Sequence, residues 1–347
     1  MTTTEPAEAR SQPPEKPGAP RRLLSLDAVR GVAIVILLLA GNPFMREDLW
    51  VGFKHPEWHG LRFADLFFPL FLFVVGAAMT LSRRAAEPRH AFRRVGILFL
   101  LGVGLSSFKH ASITIPGVLQ HIAVAYLIAW LVLRAPRRAQ IPLTAGIVLG
   151  VWGIYVAFGG SDPWDMTSTA AHRVDGFLFG HFATEGTLQS IISSVNVLGG
   201  AFIARGIKER KAERLWRWVG AHGAWLIALS LVLAFVVPVN KRVWSPSFAL
   251  LSLGTSVLWF ALMIWVIDVR RWRRGVTPLV ELGANPIAIY VGYIVIRALL
   301  SDFAHLAPVI APFGSRGAGA LLYSLAWLVA GWLVARWLYR RRIFIKI

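Results

Sequence analysis

Apolar residues run along the chain in ten long blocks, roughly 24–42, 62–82, 92–107, 117–134, 141–158, 187–205, 217–237, 247–267, 279–299 and 318–338. Most are close to the ~20 residues that an α-helix needs to cross a ~30 Å hydrocarbon core. Polar side chains are sparse inside the blocks and crowded between them. The pattern predicts an all-α fold, a polytopic integral membrane protein with about ten transmembrane helices, because a segment in lipid must satisfy its own backbone. Residues 1–22 are rich in Pro, Glu and Arg and carry too little apolar surface to fold. They lack the apolar core and small-residue cleavage site of a signal peptide, so the first block is expected to serve as signal and anchor together. The expected organisation is a disordered cytoplasmic tail over 1–22 and a single transmembrane domain over 23–347. No internal repeat stands out, and no pair of broken helices marks an inverted-repeat transporter.

The connections between blocks alternate in charge. On one side lie the N-terminal tail, 83–94, 134–138, 205–217, 268–275 and the C-terminal RWLYRRRIFIKI, which hold 27 of the 37 Lys and Arg. The other side holds nine, and Arg30 sits within the first block. This asymmetry follows the positive-inside rule and places both termini in the cytoplasm, with the protein multi-pass in the cell inner membrane. The net charge of +19 therefore reads as topology and contact with anionic membrane lipids, not as affinity for nucleic acid. A composition of 56% hydrophobic residues and a mean hydropathy of +0.58 exclude an ordinary soluble domain. Fifteen Trp suit helix–helix and lipid-facing anchoring equally, and a homodimer is compatible with either. The absence of cysteine excludes disulfides, thiolate metal sites and a cysteine nucleophile. Histidines show the opposite bias to the arginines. Seven of the nine fall in or near the outer connections, so base chemistry is expected on the face opposite the basic one.

The richest stretch is His55 to Ser82, HPEWHGLRFADLFFPLFLFVVGAAMTLS, where a polar loop runs into the second apolar block. His55 or His59 can act as a general base near neutral pH, or serve as an interfacial polar group. Asp65, one turn into the helix, is the natural group to orient a histidine, or to pair with Arg62. A zinc pair on His55 and His59, with Glu57 or Asp65 added, would need helical spacing that Pro56 interrupts, and no metal is expected. In the first block Asp27 and Arg30 share a helical face, either as a structural pair or as an anion site in an inner cavity. Asn42, before Pro43, ends that block or offers an amide to a developing oxyanion. Gln120 and His121 lie one turn into the fourth block, where polar groups face a bundle interior. Residues 172–186 read as a loop carrying Asp175, His181 and Glu185. The outer loop Pro238–Trp244, with Asn240 and Lys241, offers donors suited to carboxylates or sugar hydroxyls. Glu281 to Pro286 opens the ninth block on the inner side, with Asn285 at its start and Tyr290 deeper. There is no P-loop, no GxSxG elbow and no dinucleotide fingerprint.

Seven motifs, RLLSLDAVRG, GNPF, HPEWHGLRFADLFFPLFLFVVG, IPGVLQHIAVAYL, VDGFLFG with TEG, PVNKRVWSPSF and GANPIAIYVGY, occur in the order seen in a known family. Over about 22–342 the chain resembles the bacterial, NagX-like relatives of lysosomal heparan-alpha-glucosaminide N-acetyltransferase, within the transmembrane acyltransferases. His121 stands where the family has Arg, Ala183 where it has an acid, and His59 where the animal relative has Asn. The resemblance implies a single transmembrane acyltransferase domain over 23–347. It implies transfer of an acetyl group from cytoplasmic acetyl-CoA to the amine of an amino sugar of glucosamine type at the outer face. His55 would be the active histidine, Asp65 would orient it and Asn42 would stabilise the oxyanion. The donor would meet Arg30, Asp27, Gln120, His121, Asn285 and Tyr290. The acceptor would meet Glu57, Trp58, His59, Glu185, Asn240, Lys241 and Trp244. The competing expectation is a transporter of sugars or sugar fragments that uses the same cavity without chemistry.

Overall fold

A computed structural model describes residues 24–40, 52, 55–82, 84–110, 113–207, 210–302 and 318–345. Every apolar block is helical where it is described. The helices are α1 (Leu24–Ala40), α2 (Phe67–Leu81, entered through a 3-10 turn, Phe63–Leu66), α3 (Pro88–His110), α4 (Val118–Arg134), α5 (Arg137–Phe158), α6 (Ala170–Phe179) and α7 (Thr187–Ile192). They continue as α8 (Ser194–Ile207), α9 (Ala212–Leu233), α10 (Pro246–Met263, running on as a π turn to Val269), α11 (Val276–Ala284), α12 (Pro286–Asp302) and α13 (Ala318–Arg340). Among the described residues five helices are long and apolar enough to cross a membrane, or six if the bent α11–α12 pair forms one span. No strand occurs among them, only an isolated bridge between Gly60 and Asn240.

The structure departs from the sequence expectation in two places. The ninth apolar block is not one helix. Its halves α11 and α12 meet at an angle of 78°, because Pro286 has no N–H for the helix that precedes it and disfavours a helical Asn285. The stretch 172–186 is not all loop, since most of α6 lies in it. Thr169 caps α6 by accepting from the His172 N–H, and Gly180 closes it with φ of 79°, a conformation that costs glycine nothing.

The second helix is central. Leu72 and Val75 belong to a core shared with α4 and α5 around Tyr126, Tyr155 and Trp244, while Leu70, Phe73 and Val74 belong to one shared with α1, α8 and α10. A helix buried on all sides is apolar all round, as the sequence of α2 is. Its neighbour α8 approaches so closely that a Cβ at Gly76 would overlap the Val197 carbonyl, and one at Gly200 the Phe73 carbonyl. Small residues allow this kind of close helix packing in lipid. Around this centre α3, α5 and α13 turn large apolar side chains outward, among them Leu100, Ile141 and Leu322. Such a band faces lipid in a membrane protein.

Candidate active site

The start of α2 fixes Asp65. Its N–H donates to the Arg62 carbonyl (3.0 Å) and its Oδ2 accepts from the Arg62 N–H (2.8 Å). The carboxylate thus caps the helical turn from its N-terminal end, where negative charge is favoured. Oδ1 is 2.5 Å from Nδ1 of His55. The Asp65 side chain is fully buried, whereas that of His55 is 50% exposed. A carboxylate accepts, so this contact selects the tautomer with the proton on Nδ1 and leaves Nε2 for a reacting group. Arg62 also donates from its guanidinium to the His55 carbonyl (3.2 Å), which fixes the loop. Residues 55–60 are not helical, as Pro56 requires.

This loop is tied down from two sides. Gly60, with φ of 105°, donates to the Val239 carbonyl (2.7 Å) and pairs with Asn240. Trp58 donates from its indole to the Trp164 carbonyl (2.7 Å) and packs against His172 and Phe182. Nearby, Asp165 is held down to about 2 by hydrogen bonds from the Thr167 hydroxyl and N–H and the Ser168 hydroxyl. Burial lowers the pKa of His172 against the pull of Asp175 and Asp165. Burial also raises that of Asp175, although it accepts from the Thr187 and Ala183 N–H groups.

Two cavities lie back to back. One, of 280 Å³, holds His55, Asp65, Glu185, Lys241, Tyr290 and Arg297 in its lining. The other, of 890 Å³, gathers Asp27, Arg30, Arg84, His90, Arg93 and Arg94 at the basic end of the bundle. Phe71, Pro286 and Ile287 line both. In the larger cavity Arg30 lies 3.6 Å from Asp27 and donates to the Gly283 carbonyl (3.2 Å). The latter contact needs α1 and α11 to touch at glycine, since a Cβ at Gly283 would overlap the Asp27 carbonyl.

The expected site residues fall into three groups. His55, Asp65, Glu185, Lys241 and Tyr290 share the smaller cavity, so Tyr290 sits on the histidine side and not among the basic groups. Asp27 and Arg30 share the larger one. The other described ones line neither. Asn285 donates to the Ile343 carbonyl (2.9 Å) and accepts from the Ile345 N–H (2.8 Å). It thereby holds Phe344 and Ile345 in the wall of the larger cavity. Gln120 packs between α3 and α4, 3.5 Å from the Ser106 hydroxyl. His121 is fully buried against Phe68 and Trp244, with Nε2 2.6 Å from the Ser193 hydroxyl. Trp244, expected at an acceptor, is a core residue 1% exposed, because its loop folds inward and packs the indole edge-to-face against Phe248. Asn240 uses its side-chain oxygen on the Arg242 and Val243 N–H groups of its own turn and approaches His59 (3.3 Å). Glu57 and His59 are exposed and Trp58 is buried. Asn42 lies outside the described residues. Among the described residues no group of three or more His, Cys, Asp or Glu side chains is placed to hold a metal ion.

Sequence reasoning missed Arg84, His90, Arg93 and Arg94 as individual cavity residues. Their signal was the basic connector 83–94, whose arginines the sequence offers to donor phosphates only collectively and which topology explains as well. It also missed the apolar partition of Phe71 and Ile287, which carries no chemical signature.

Comparison with known proteins bears on these same residues. The family model described as heparan-alpha-glucosaminide N-acetyltransferase, catalytic, matches residues 22–172, which include Asp27, Arg30, His55 and Asp65. The heparan-alpha-glucosaminide N-acetyltransferase of Homo sapiens is 26% identical over 359 residues, covering 79% of this chain and 53% of the relative. That of Mus musculus is 25% identical over 374 residues, covering 84% and 56%. The chain thus spans about half the length of the curated relatives it matches. The matched stretch holds both the His55–Asp65 pair and the start of the basic cavity, so the similarity to heparan-alpha-glucosaminide N-acetyltransferases falls on the residues that build the candidate site of this membrane protein.

Proposed function

We propose that the chain is a membrane-bound N-acetyltransferase that moves an acetyl group from acetyl-CoA, held at the basic end, to the amine of an amino sugar at the His55 end. The observation that carries this reading is the pair of adjoining cavities, one lined with arginines and one with a histidine–carboxylate pair, parted by Phe71, Pro286 and Ile287. Arg30, Arg84, Arg93 and Arg94 suit the phosphates of the donor, since guanidinium–phosphate contacts are charge-assisted and bidentate. The volume of 890 Å³ lies within the ~300–1,000 Å³ of ligand pockets. The thin pantetheine arm would pass the apolar partition and bring the thioester to His55.

In the direct form of the reaction Nε2 of His55 takes a proton from the acceptor amine. The nitrogen attacks the thioester carbonyl carbon, the C–S bond breaks, and the proton passes to the leaving thiolate. The products are an N-acetyl sugar and the free CoA thiol. Asp65 holds the tautomer and stabilises the imidazolium formed. In a two-step form Nε2 attacks the thioester carbonyl first and the C–S bond breaks to release the CoA thiolate; the acceptor amine then attacks the acetyl carbon, the C–Nε2 bond breaks, and the amine proton returns to the freed imidazole or the thiolate. Asn42 remains the proposed oxyanion donor, and Glu185 and Lys241, which line the smaller cavity, would meet the acceptor. The basic end faces the cytoplasm of a bacterial inner membrane, and about ten spans of one domain carry the site. The acceptor is glucosamine or a cell-wall or exopolysaccharide fragment.

The bent α11–α12 pair favours a second reading, a sugar transporter, since broken helices line the sites of many transporters. One assay separates the two: purified protein, labelled acetyl-CoA and glucosamine. Labelled N-acetylglucosamine, lost in His55→Ala, supports the enzyme. Absence of transfer together with glucosamine uptake by proteoliposomes supports the transporter.

A further inference from the structure

We propose that a third cavity, of 460 Å³ between the ends of α2, α4 and α8, is a separate site for a phosphate-bearing anion. Arg134, Arg205, Trp130, Thr80 and Ser82 line it, and among the described residues that do there is no Asp or Glu. It lies at the basic end of the bundle but takes none of the arginines of the larger cavity.

Arg205 is held in place by a buried amide. Gln140 is 3% exposed, and its Nε2 donates to the carbonyls of Leu133 (3.0 Å) and Ala135 (2.7 Å). Those two contacts fix which way the amide points, so its oxygen must accept, and Nη2 of Arg205 donates to it at 2.6 Å. This uses one of the five guanidinium donors. Arg134 lies over the ring of Trp130, 4.8 Å from its centroid. The charge of Arg137 also acts on Arg205. The Thr80 hydroxyl donates to the Ala201 carbonyl (3.2 Å), which leaves Ser82 and the guanidiniums as the donors for a ligand.

A simpler account is that these arginines only neutralise the C-terminal ends of three helices. Each helix end carries about half a negative charge, so three ends still leave about half of one positive charge on the two lining guanidiniums uncompensated. An anion with several oxygens supplies the rest, and phosphate matches guanidinium forks best. A phospholipid headgroup at the inner leaflet and a free phosphate compound share this chemistry. Ser82 also lines the larger cavity, so a ligand here touches the donor cavity's wall.

The test uses the full-length protein and reads binding, not acetyl transfer, so its outcome is independent of the proposed enzyme activity. In nanodiscs mixing phosphatidylglycerol with phosphatidylcholine, native mass spectrometry counts the lipid retained. In detergent, thermal unfolding is followed with sodium phosphate against sodium chloride at equal ionic strength. Selective retention of phosphatidylglycerol with no phosphate shift assigns a lipid headgroup, and a phosphate-dependent shift without lipid assigns a soluble phosphate ligand. Either upholds the site, provided that Arg134→Gln and Arg205→Gln each weaken it about fivefold, as expected for one arginine at an anionic headgroup. Arg134 is exposed, so its variant decides the matter if Arg205→Gln fails to fold. No preference in either arm, unchanged binding in R134Q, or a loss in Arg93→Gln without one in R134Q overturns the proposal.

Discussion

Replacing Asp65 by Asn tests the site most sharply. The substitution barely alters shape, and the new amide oxygen can still accept from the Arg62 N–H, which Asp65 now does at 2.8 Å. What changes is the contact with His55, at 2.5 Å the shortest in the site. The amide nitrogen is a donor, so Nδ1 must become an acceptor and the imidazole proton moves to Nε2. The nitrogen that should take the proton from the acceptor amine then already carries one. The carboxylate that would stabilise the imidazolium is also gone, at a position with no solvent to replace it. In a histidine–carboxylate pair built this way the same change costs about 10⁴ in turnover. His55 is half exposed and water can partly reorient it, so a loss of about 10³ to 10⁴ is expected for D65N, or about 4–5 kcal/mol of transition-state stabilisation. Transfer of labelled acetyl to glucosamine measures this, with the unfolding midpoint as a control for folding. The double variant with His55→Ala should be no slower than H55A alone, because the two residues act as one unit. If D65N keeps a tenth or more of wild-type turnover, Asp65 does not set the tautomer and the reasoning fails.

Other outcomes follow from the same geometry. Arg93 is exposed and lines the basic cavity, so Arg93→Gln should raise KM for acetyl-CoA about five- to tenfold with kcat little changed; equal KM values would remove it from the donor site. Gly76→Val should abolish folding or lower the unfolding midpoint strongly, since even a Cβ there meets the Val197 carbonyl, whereas Gly150→Ala, with open space around it, should behave as wild type; detergent-solubilised yield and midpoint report both. His172 is held below its ordinary value of 6.5, mainly by burial. The unfolded chain therefore takes up its proton first on acidification, and stability present above pH 6.5 is lost as pH falls through the depressed folded value. In His172→Phe, which keeps the stacking on Phe182, the midpoint should fall less between pH 7.5 and 5.5 than in wild type, and parallel curves would exclude this linkage.

Much of this protein is legible without coordinates. Backbone groups in lipid have no partner but one another, so ten apolar blocks read directly as helices, and the blocks' charged connectors mark the basic end. His55 and Asp65 were legible as a pair because a short loop and one helical turn keep residues ten apart in sequence within reach. What hydropathy cannot show is which way a polar or aromatic side chain turns. Lys241 and Trp244 share one short loop, yet Lys241 lines the cavity and Trp244 is buried against Phe248, a choice made by the packing of α10. Asn285, expected near the donor, holds the chain after α13 through two hydrogen bonds. Arg93 and Arg94, part of a basic connector in the sequence, line a cavity. The pair of adjoining cavities exists only in the tertiary structure. Phe71 of α2 lines the same two cavities as Pro286 and Ile287, where Pro286 breaks the ninth block and turns α12 by 78°. A cavity belongs to no single segment; it is the space left where helices distant in sequence fail to touch, so only their packing decides where it lies.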